Sequence, residues 1–234
     1  MTTLRVSEHF YSIQGEGPSV GTPAVFLRLQ GCNLDCGHLG GTWRCDTEAV
    51  WKKGTPQPIP TFFDSFMAQY HAAFDAGAHL IITGGEPLLQ QGALIEWLSL
   101  FNDLPFIEVE TNGTICPKKP LQRMVSQWNV SLKLSNSGEK KTKRITQDAI
   151  DWFANTNNAI YKFVVFDPHD IDDIFATFDW VNDVPITRRF LMPAADSKAA
   201  VESLYPTVIE WCKNRGFCLG QRLHLSVWNQ TTGV

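Results

Sequence analysis

The sequence predicts an α/β protein with a mostly parallel sheet and covering helices. Three observations carry that expectation. Strand-length apolar runs alternate with longer segments whose apolar residues recur every three or four positions. Polar and glycine-rich motifs sit just past the ends of the strand-like runs, where open α/β sheets and barrels gather ligands. The chain has 234 residues, 44% hydrophobic and 19% charged, enough to bury one sizeable core, so a single domain over 1–234 is expected. The pattern leaves open whether the sheet is flat or a partial barrel.

The elements follow in order. Ala24 to Leu29 is apolar and strand-like. Gly54 to Pro60, with three prolines in seven residues, reads as a short connection. Thr61 to Ala76 reads as a helix. Phe62, Phe63, Phe66, Met67, Tyr70, Ala73 and Phe74 align on one face, with Thr61 as cap, Asp64 in the first turn and Gly77 as terminator. His79 to Thr83 is a strand stopped by Gly84-Gly85, and Leu94 to Phe101 a short helix. Phe106 to Glu110 and Val130 to Leu134 read as strands, Thr146 to Asn155 as a helix, and Ala159 to Phe166 and Ile186 to Met192 as strands. Ser197 to Arg215 is helical, with Pro206 expected to kink or split it. Leu223 to Trp228 reads as a last strand.

Formal net charge is −4, which argues against a nucleic-acid-coating or membrane-surface protein. The basic residues between Lys118 and Arg144 read as a solvated face. Met1 to Arg5 lacks the apolar run of a signal peptide, and no stretch approaches the roughly 18 apolar residues of a spanning helix. A cytoplasmic protein is expected, with no direct nucleic-acid or membrane partner.

Six cysteines are present, and three of them, Cys32, Cys36 and Cys45, crowd into fourteen residues. Without a secretion signal a disulfide framework is not expected. Cys116, Cys212 and Cys218 read as free thiols. Three thiolates on one loop suit zinc, copper(I) or an iron–sulfur cluster. A structural zinc wants four ligands, with His38 as the fourth. A cubane held by three thiolates leaves one iron for another ligand. The cysteines alone do not choose between these.

Four segments together resemble the radical S-adenosylmethionine (SAM) superfamily, and within it the 7-carboxy-7-deazaguanine synthase (QueE) family. They are Ser12 to Pro18; Arg28 to Leu34, continuing to Cys45-Asp46-Thr47; Thr83 to Pro87; and Glu110 to Gly113, followed by Ser131-Leu132-Lys133. They cover roughly the first 135 residues in family order. The superfamily spaces its cysteines C-x3-C-x2-C, whereas the second gap here holds eight residues, an enlargement of six. His38 falls inside this enlarged loop and is expected to face solvent or support the site from behind. Leu132 stands where the family often has proline, and Ser226 to Asn229 replaces the usual run near the end, which in many members contains a histidine.

The resemblance implies a radical SAM partial (β/α) barrel and a lyase. It implies that Cys32, Cys36 and Cys45 hold a [4Fe-4S] cluster whose open iron binds SAM. Gly85, Ser131, Leu132, Lys133 and the stretch Met192, Pro193, Ala194 and Ala195 are implied SAM contacts. The implied substrate is 6-carboxy-5,6,7,8-tetrahydropterin, framed by Ile13, Gln14, Gly15 and Glu16. Arg28, whose planar fork matches a carboxylate, and Thr83 join them, with Glu110 and the terminal Val234 as further contacts. Thr47 is the implied Mg2+ residue, and a lone hydroxyl binds that ion well only with substrate oxygens present. The implied reaction abstracts hydrogen from C6, contracts the ring and releases ammonia, giving the 7-deazapurine of queuosine-type biosynthesis, with SAM regenerated. A flavodoxin-type reductant and a homodimer also come with the family. Two rival readings stand beside this one: another radical SAM enzyme, such as a glycyl-radical activase or a peptide-modifying enzyme, and a zinc-binding interaction module using Cys32, Cys36, His38 and Cys45.

Overall fold

A computed structural model describes residues 2–231 and 233. Its elements run β1 (Thr3–Ile13), β2 (Pro23–Leu29), α1 (Glu48–Trp51), β3 (Thr55–Pro58), α2 (Ile59–Asp75), β4 (His79–Gly84), α3 (Gln91–Leu98), β5 (Ile107–Thr111), α4 (Lys119–Met124), β6 (Gln127–Val130), α5 (Lys141–Arg144), α6 (Gln147–Ala154), β7 (Ala159–Val165), α7 (Pro168–Thr177), β8 (Arg189–Pro193), α8 (Lys198–Arg215), β9 (Cys218–Leu219) and α9 (Leu223–Trp228). One nine-stranded sheet has the order β3-β1-β2-β4-β5-β6-β7-β8-β9. From β2 to β9 every neighbouring pair is parallel, while β1 pairs antiparallel with β2 and β3. The mostly parallel sheet with covering helices is what the alternation of strands and helices predicts, and its failure to close on itself agrees with the partial barrel that the resemblance implies.

The period of two sorts each strand into an apolar face and a polar one. Val25, Leu27, Leu80, Ile82, Ile107, Val109, Trp128, Tyr161 and Phe163 belong to the core beneath the helices. Arg28, Thr83, Glu110 and Lys162 lie on the opposite, concave face and line a cavity. Glu108 and Asn129 lie buried on that face as well. The same alternation that forms the core therefore places polar groups inside the barrel.

Several sequence expectations shift. The helix expected from Thr61 starts at Ile59; Pro60 is in its first turn, and the Thr61 hydroxyl donates to the Pro58 carbonyl at 3.1 Å instead of capping. Gly77, at φ +88°, follows its end as expected. The short connection holds an edge strand, β3, and its prolines are tolerated because an edge leaves N–H positions unpaired. β6 ends at Val130, so Ser131 to Leu134 form the loop beyond it; Leu132 and Leu134 are buried there without strand pairing. The first half of Ile186 to Met192 is a 3₁₀ turn, and β8 begins at Arg189. α8 runs unbroken through Pro206. The expected last strand, Leu223 to Trp228, is the helix α9. A six-residue apolar run does not distinguish strand from helix by periodicity. The basic stretch is mostly exposed, except that Arg144 is buried and Lys133 lines the cavity. Among the described residues no helix is long and apolar enough to cross a membrane.

Phe66 lies at the centre of the aromatic contact between α2 and α3, 1% exposed and 5.1 Å from the Trp97 ring in a T-shaped arrangement. Replacing it with alanine is expected to lower unfolding free energy by about 3–5 kcal/mol, measured by urea titration with an unchanged m value.

Candidate active site

The cavity has a volume of about 720 Å³ and opens at the carboxyl ends of the parallel strands. It brings together Cys32, Cys36, Cys45, Thr47, Gly85, Ser131, Lys133, Met192, Ala194 and Ala195 with Ile13, Gln14, Gly15, Glu16, Arg28, Thr83 and Glu110. Of the expected site residues, Leu132 and Pro193 do not line it; both side chains are buried. Val234 lies outside the described residues.

One end is built on the turn after β4. Glu86 is fully buried, and its carboxylate accepts from Leu88 N at 3.0 Å, from Thr111 Oγ1 at 2.9 and 3.0 Å, and from Asn112 N at 2.7 Å. Its own N–H donates to the Gly31 carbonyl at 2.8 Å. The cysteine loop is thereby fixed to the ends of β4 and β5. Gly85 is required here: a Cβ would overlap the Gly31 carbonyl oxygen and stand 2.5 Å from Cys32 Cβ. Asn112 extends the connection by donating to Asn33 Oδ1 at 2.9 Å. Burial pushes Glu86 up to about 7, against the hydrogen bonds that favour its ionised form.

All six cysteines are free thiols. Burial pushes Cys32 up to about 11 and raises Cys36. Cys45 Sγ and Thr47 Oγ1 lie 3.6 Å apart, and Thr47 makes no side-chain cap for α1. Among the described residues no other cysteine lines the cavity, so the donor set there is three thiols, and no three metal-ligating side chains are gathered closely enough to hold a single ion. That set fits a cluster held at three corners. His38 is not directed at the thiols: its Nε2 lies 2.8 Å from Glu48 Oε1, with Arg44 Nη2 3.4 Å from its Nδ1.

The enlarged loop is folded back and anchored. Gly37 N donates to Ser137 O at 2.9 Å, Thr42 N to Asn136 O at 2.8 Å, and Trp43 Nε1 to Asn136 Oδ1 at 3.0 Å. Trp43 reaches the cavity wall with the Lys133 ammonium 5.6 Å from its ring centroid, within cation–π range. Lys133 also donates to Ser131 Oγ at 2.8 Å.

The other end carries buried charge. Lys162 Nζ donates to Glu16 Oε2 at 2.8 Å and to Glu110 Oε2. Gln14, 3% exposed, has its Nε2 3.4 Å from both Glu108 Oε2 and Glu110 Oε1. Asn129 Nδ2 donates to Glu108 Oε2 at 2.8 Å and Glu110 Oε1 at 2.9 Å. Arg222 bonds Asp46 and the Ala195 carbonyl, with its Nε 3.7 Å from Glu16 Oε1. The N–H of Leu223 donates to the Gly15 carbonyl at 3.0 Å, and a Cβ at Gly15 would come within 2.8 Å of His224 Nδ1. Burial pushes Glu16 up, but Lys162, Arg222 and His224 outweigh it and hold this carboxyl down to about 2. Burial raises Glu110, opposed by Lys162 and reinforced by Glu16. Arg28 Nε donates to Glu8 Oε1 at 2.8 Å, and no hydrogen bond among the described residues engages its two terminal nitrogens.

Sequence reasoning missed Lys162, Arg222, His224 and Asn129. Lys162 did leave a signal, as the single charge in the apolar run Ala159 to Val165. Arg222 and His224 left none, because their segment reads as a strand and their partners are remote in sequence.

A partial β/α barrel with a three-cysteine loop and a Gly-Gly-Glu-Pro turn at its carboxyl edge is the arrangement of a radical SAM enzyme. No protein-family profile matches the chain. It is 33% identical over 231 residues to a 7-carboxy-7-deazaguanine synthase of Pyrobaculum aerophilum, covering 98% of this chain and 97% of that one. To a protein of the same name from Halobacterium salinarum it is 31% identical over 247 residues, covering 97% and 91%. Among solved structures, QueE from Escherichia coli superposes with a TM-score of 0.66 at 23% identity over 95% of each chain, a likeness of fold. The chain belongs to the 7-carboxy-7-deazaguanine synthase family.

Two outcomes follow from this geometry. In Glu86→Gln, either placement of the amide nitrogen faces a backbone N–H. The substitution is expected to cost about 1–3 kcal/mol and to speed amide hydrogen exchange across residues 31–36. For Glu16, ionisation stabilises the fold above its ordinary 4.5, and that gain is lost as pH falls towards about 2. Glu16→Gln is therefore expected to flatten the loss of stability between those values, read from urea unfolding at stepped pH.

Proposed function

We propose that this chain converts 6-carboxy-5,6,7,8-tetrahydropterin to 7-carboxy-7-deazaguanine with loss of ammonia. One observation carries the reading. A single cavity joins three free cysteines and the Gly85 turn at one end to Gln14, Glu16, Arg28 and Glu110 at the other. Family membership supports it.

In this reading Cys32, Cys36 and Cys45 hold a [4Fe-4S] cluster, and Gly85, Ser131, Lys133 and the backbone of Met192 to Ala195 seat SAM. When bound, the cluster supplies one low-potential electron to SAM, and SAM supplies a hydrogen-abstracting carbon radical. The chain's own side chains position the substrate. Gln14 both donates and accepts, and Glu16 and Glu110 accept, which matches the mixed donors and acceptors of an aminopyrimidinone edge. The open terminal nitrogens of Arg28 suit the substrate carboxylate. Thr83, paired with Arg28 across β2 and β4, adds a hydroxyl beside it. Thr47 offers one neutral oxygen to Mg2+ while neighbouring Asp46 is paired with Arg222, so the ion depends on substrate oxygens. An external one-electron donor of the flavodoxin class and a homodimeric assembly belong to the same reading.

Anaerobic reconstitution with iron and sulfide is expected to give a brown protein with about four irons per chain. With SAM, reductant, Mg2+ and the carboxytetrahydropterin, mass spectrometry should detect the deazaguanine product. Cys32→Ala, Cys36→Ala and Cys45→Ala should each lose cluster and turnover together. A colourless zinc protein, or any of these variants at full turnover, refutes the assignment.

A further inference from the structure

We propose that Lys162 is a specificity-determining positioning residue: it holds Glu16 and Glu110 together as an acceptor pair that reads a ring edge bearing two adjacent N–H donors. The inference rests on the pterin reading above and deepens it.

The argument begins with a charge count. Lys162 sits mid-strand in β7 with its side chain 2% exposed. Burying an ammonium there is costly unless it is paired. Two carboxylates meet it, Glu16 from the loop after β1 at 2.8 Å and Glu110 from β5. Their side chains are 20% and 19% exposed, and both line the cavity. One ammonium between two carboxylates leaves a surplus negative charge. Arg222 adds one further cation beside the pair, and its own partner Asp46 cancels it. Its buried Nε, with no hydrogen-bond partner among the described residues, lies 3.7 Å from Glu16 Oε1. Fully buried Glu108 lies 2.8 Å from His79 Nδ1, and burial pushes the His224 imidazole towards its neutral form. The surplus therefore faces the cavity.

Two carboxylates this close resist joint ionisation, and without a cation between them one takes a proton. A protonated carboxyl becomes a donor. Lys162 thus decides whether the pair presents acceptors alone or a mixture. Acceptors alone select an edge with two neighbouring N–H groups, such as the 2-amino and N3–H of an aminopyrimidinone. They repel an edge whose 2-substituent is a carbonyl oxygen.

The test uses the reconstituted protein with SAM present and two fluorescent probes, pterin-6-carboxylate and its 2-oxo analogue, with affinities read by fluorescence titration. The unaltered chain is expected to prefer the 2-amino probe by at least about tenfold, the scale of one hydrogen bond to a charged group. Lys162→Arg should keep that preference. Lys162→Met should reduce it to near unity. Glu110→Gln keeps the side chain's shape but sets its amide N–H against Lys162 or Asn129; with folding checked by thermal unfolding, it should do the same from the other side of the pair. If the unaltered chain prefers the 2-amino probe and either Lys162→Met or Glu110→Gln retains the full preference, Lys162 has no such role while the pterin reading stands. If the unaltered chain binds neither probe, the pterin reading itself fails and takes this inference with it.

Discussion

The buried carboxylate of Glu86 holds the reactive end of the molecule together. It accepts hydrogen bonds from the start of a 3₁₀ turn and from two residues at the end of β5, while its own N–H holds the Gly31 carbonyl. Three segments far apart in sequence are thereby fixed within a few ångströms. The thiols of the cysteine loop depend on this anchor, because a loop of that length has no regular structure of its own to set their positions. Glu86 bears the cost of burial, seen in its upward-shifted carboxyl, and the hydrogen-bonded network offsets it.

A second concentration of buried polarity lies at the other end of the cavity. Glu108, Glu110, Asn129 and Lys162 project from three adjacent strands onto the concave face. A closed apolar core would fill this space with branched side chains. Here the sheet stays open, and ion pairs and amide hydrogen bonds satisfy the buried groups instead. Low polarity around them strengthens each interaction and penalises any group left unpaired. The two ends are joined through Arg222, which bonds Asp46 of the cysteine loop and the Ala195 carbonyl and lies close to Glu16. That single guanidinium connects the loop with the expected SAM stretch and the substrate side.

The enlarged loop adds residues without loosening the site. Hydrogen bonds to Asn136 and Ser137 hold it, and Glu48 gathers His38, Arg44 and Lys52 at its base. Its consequence inside the cavity is Trp43, stacked near Lys133. Nothing in the spacing of the cysteines announces this, since the anchoring turn lies about a hundred residues downstream.

The sequence by itself determined the α/β class, the main parallel strands and the residues whose chemistry is local: the three thiols, the Gly84-Gly85-Glu86 turn and the Gln14 to Glu16 segment. These are readable because periodicity and short motifs are properties of neighbouring residues. Tertiary structure alone decided that Ser131 to Leu134 leave the sheet, that Leu223 to Trp228 coil into a helix, and that Lys162, Arg222 and His224 converge on Glu16. Those outcomes turn on which partners are available in space. A strand ends where its neighbours stop pairing, and a buried charge is tolerated only where the fold brings it an opposite one.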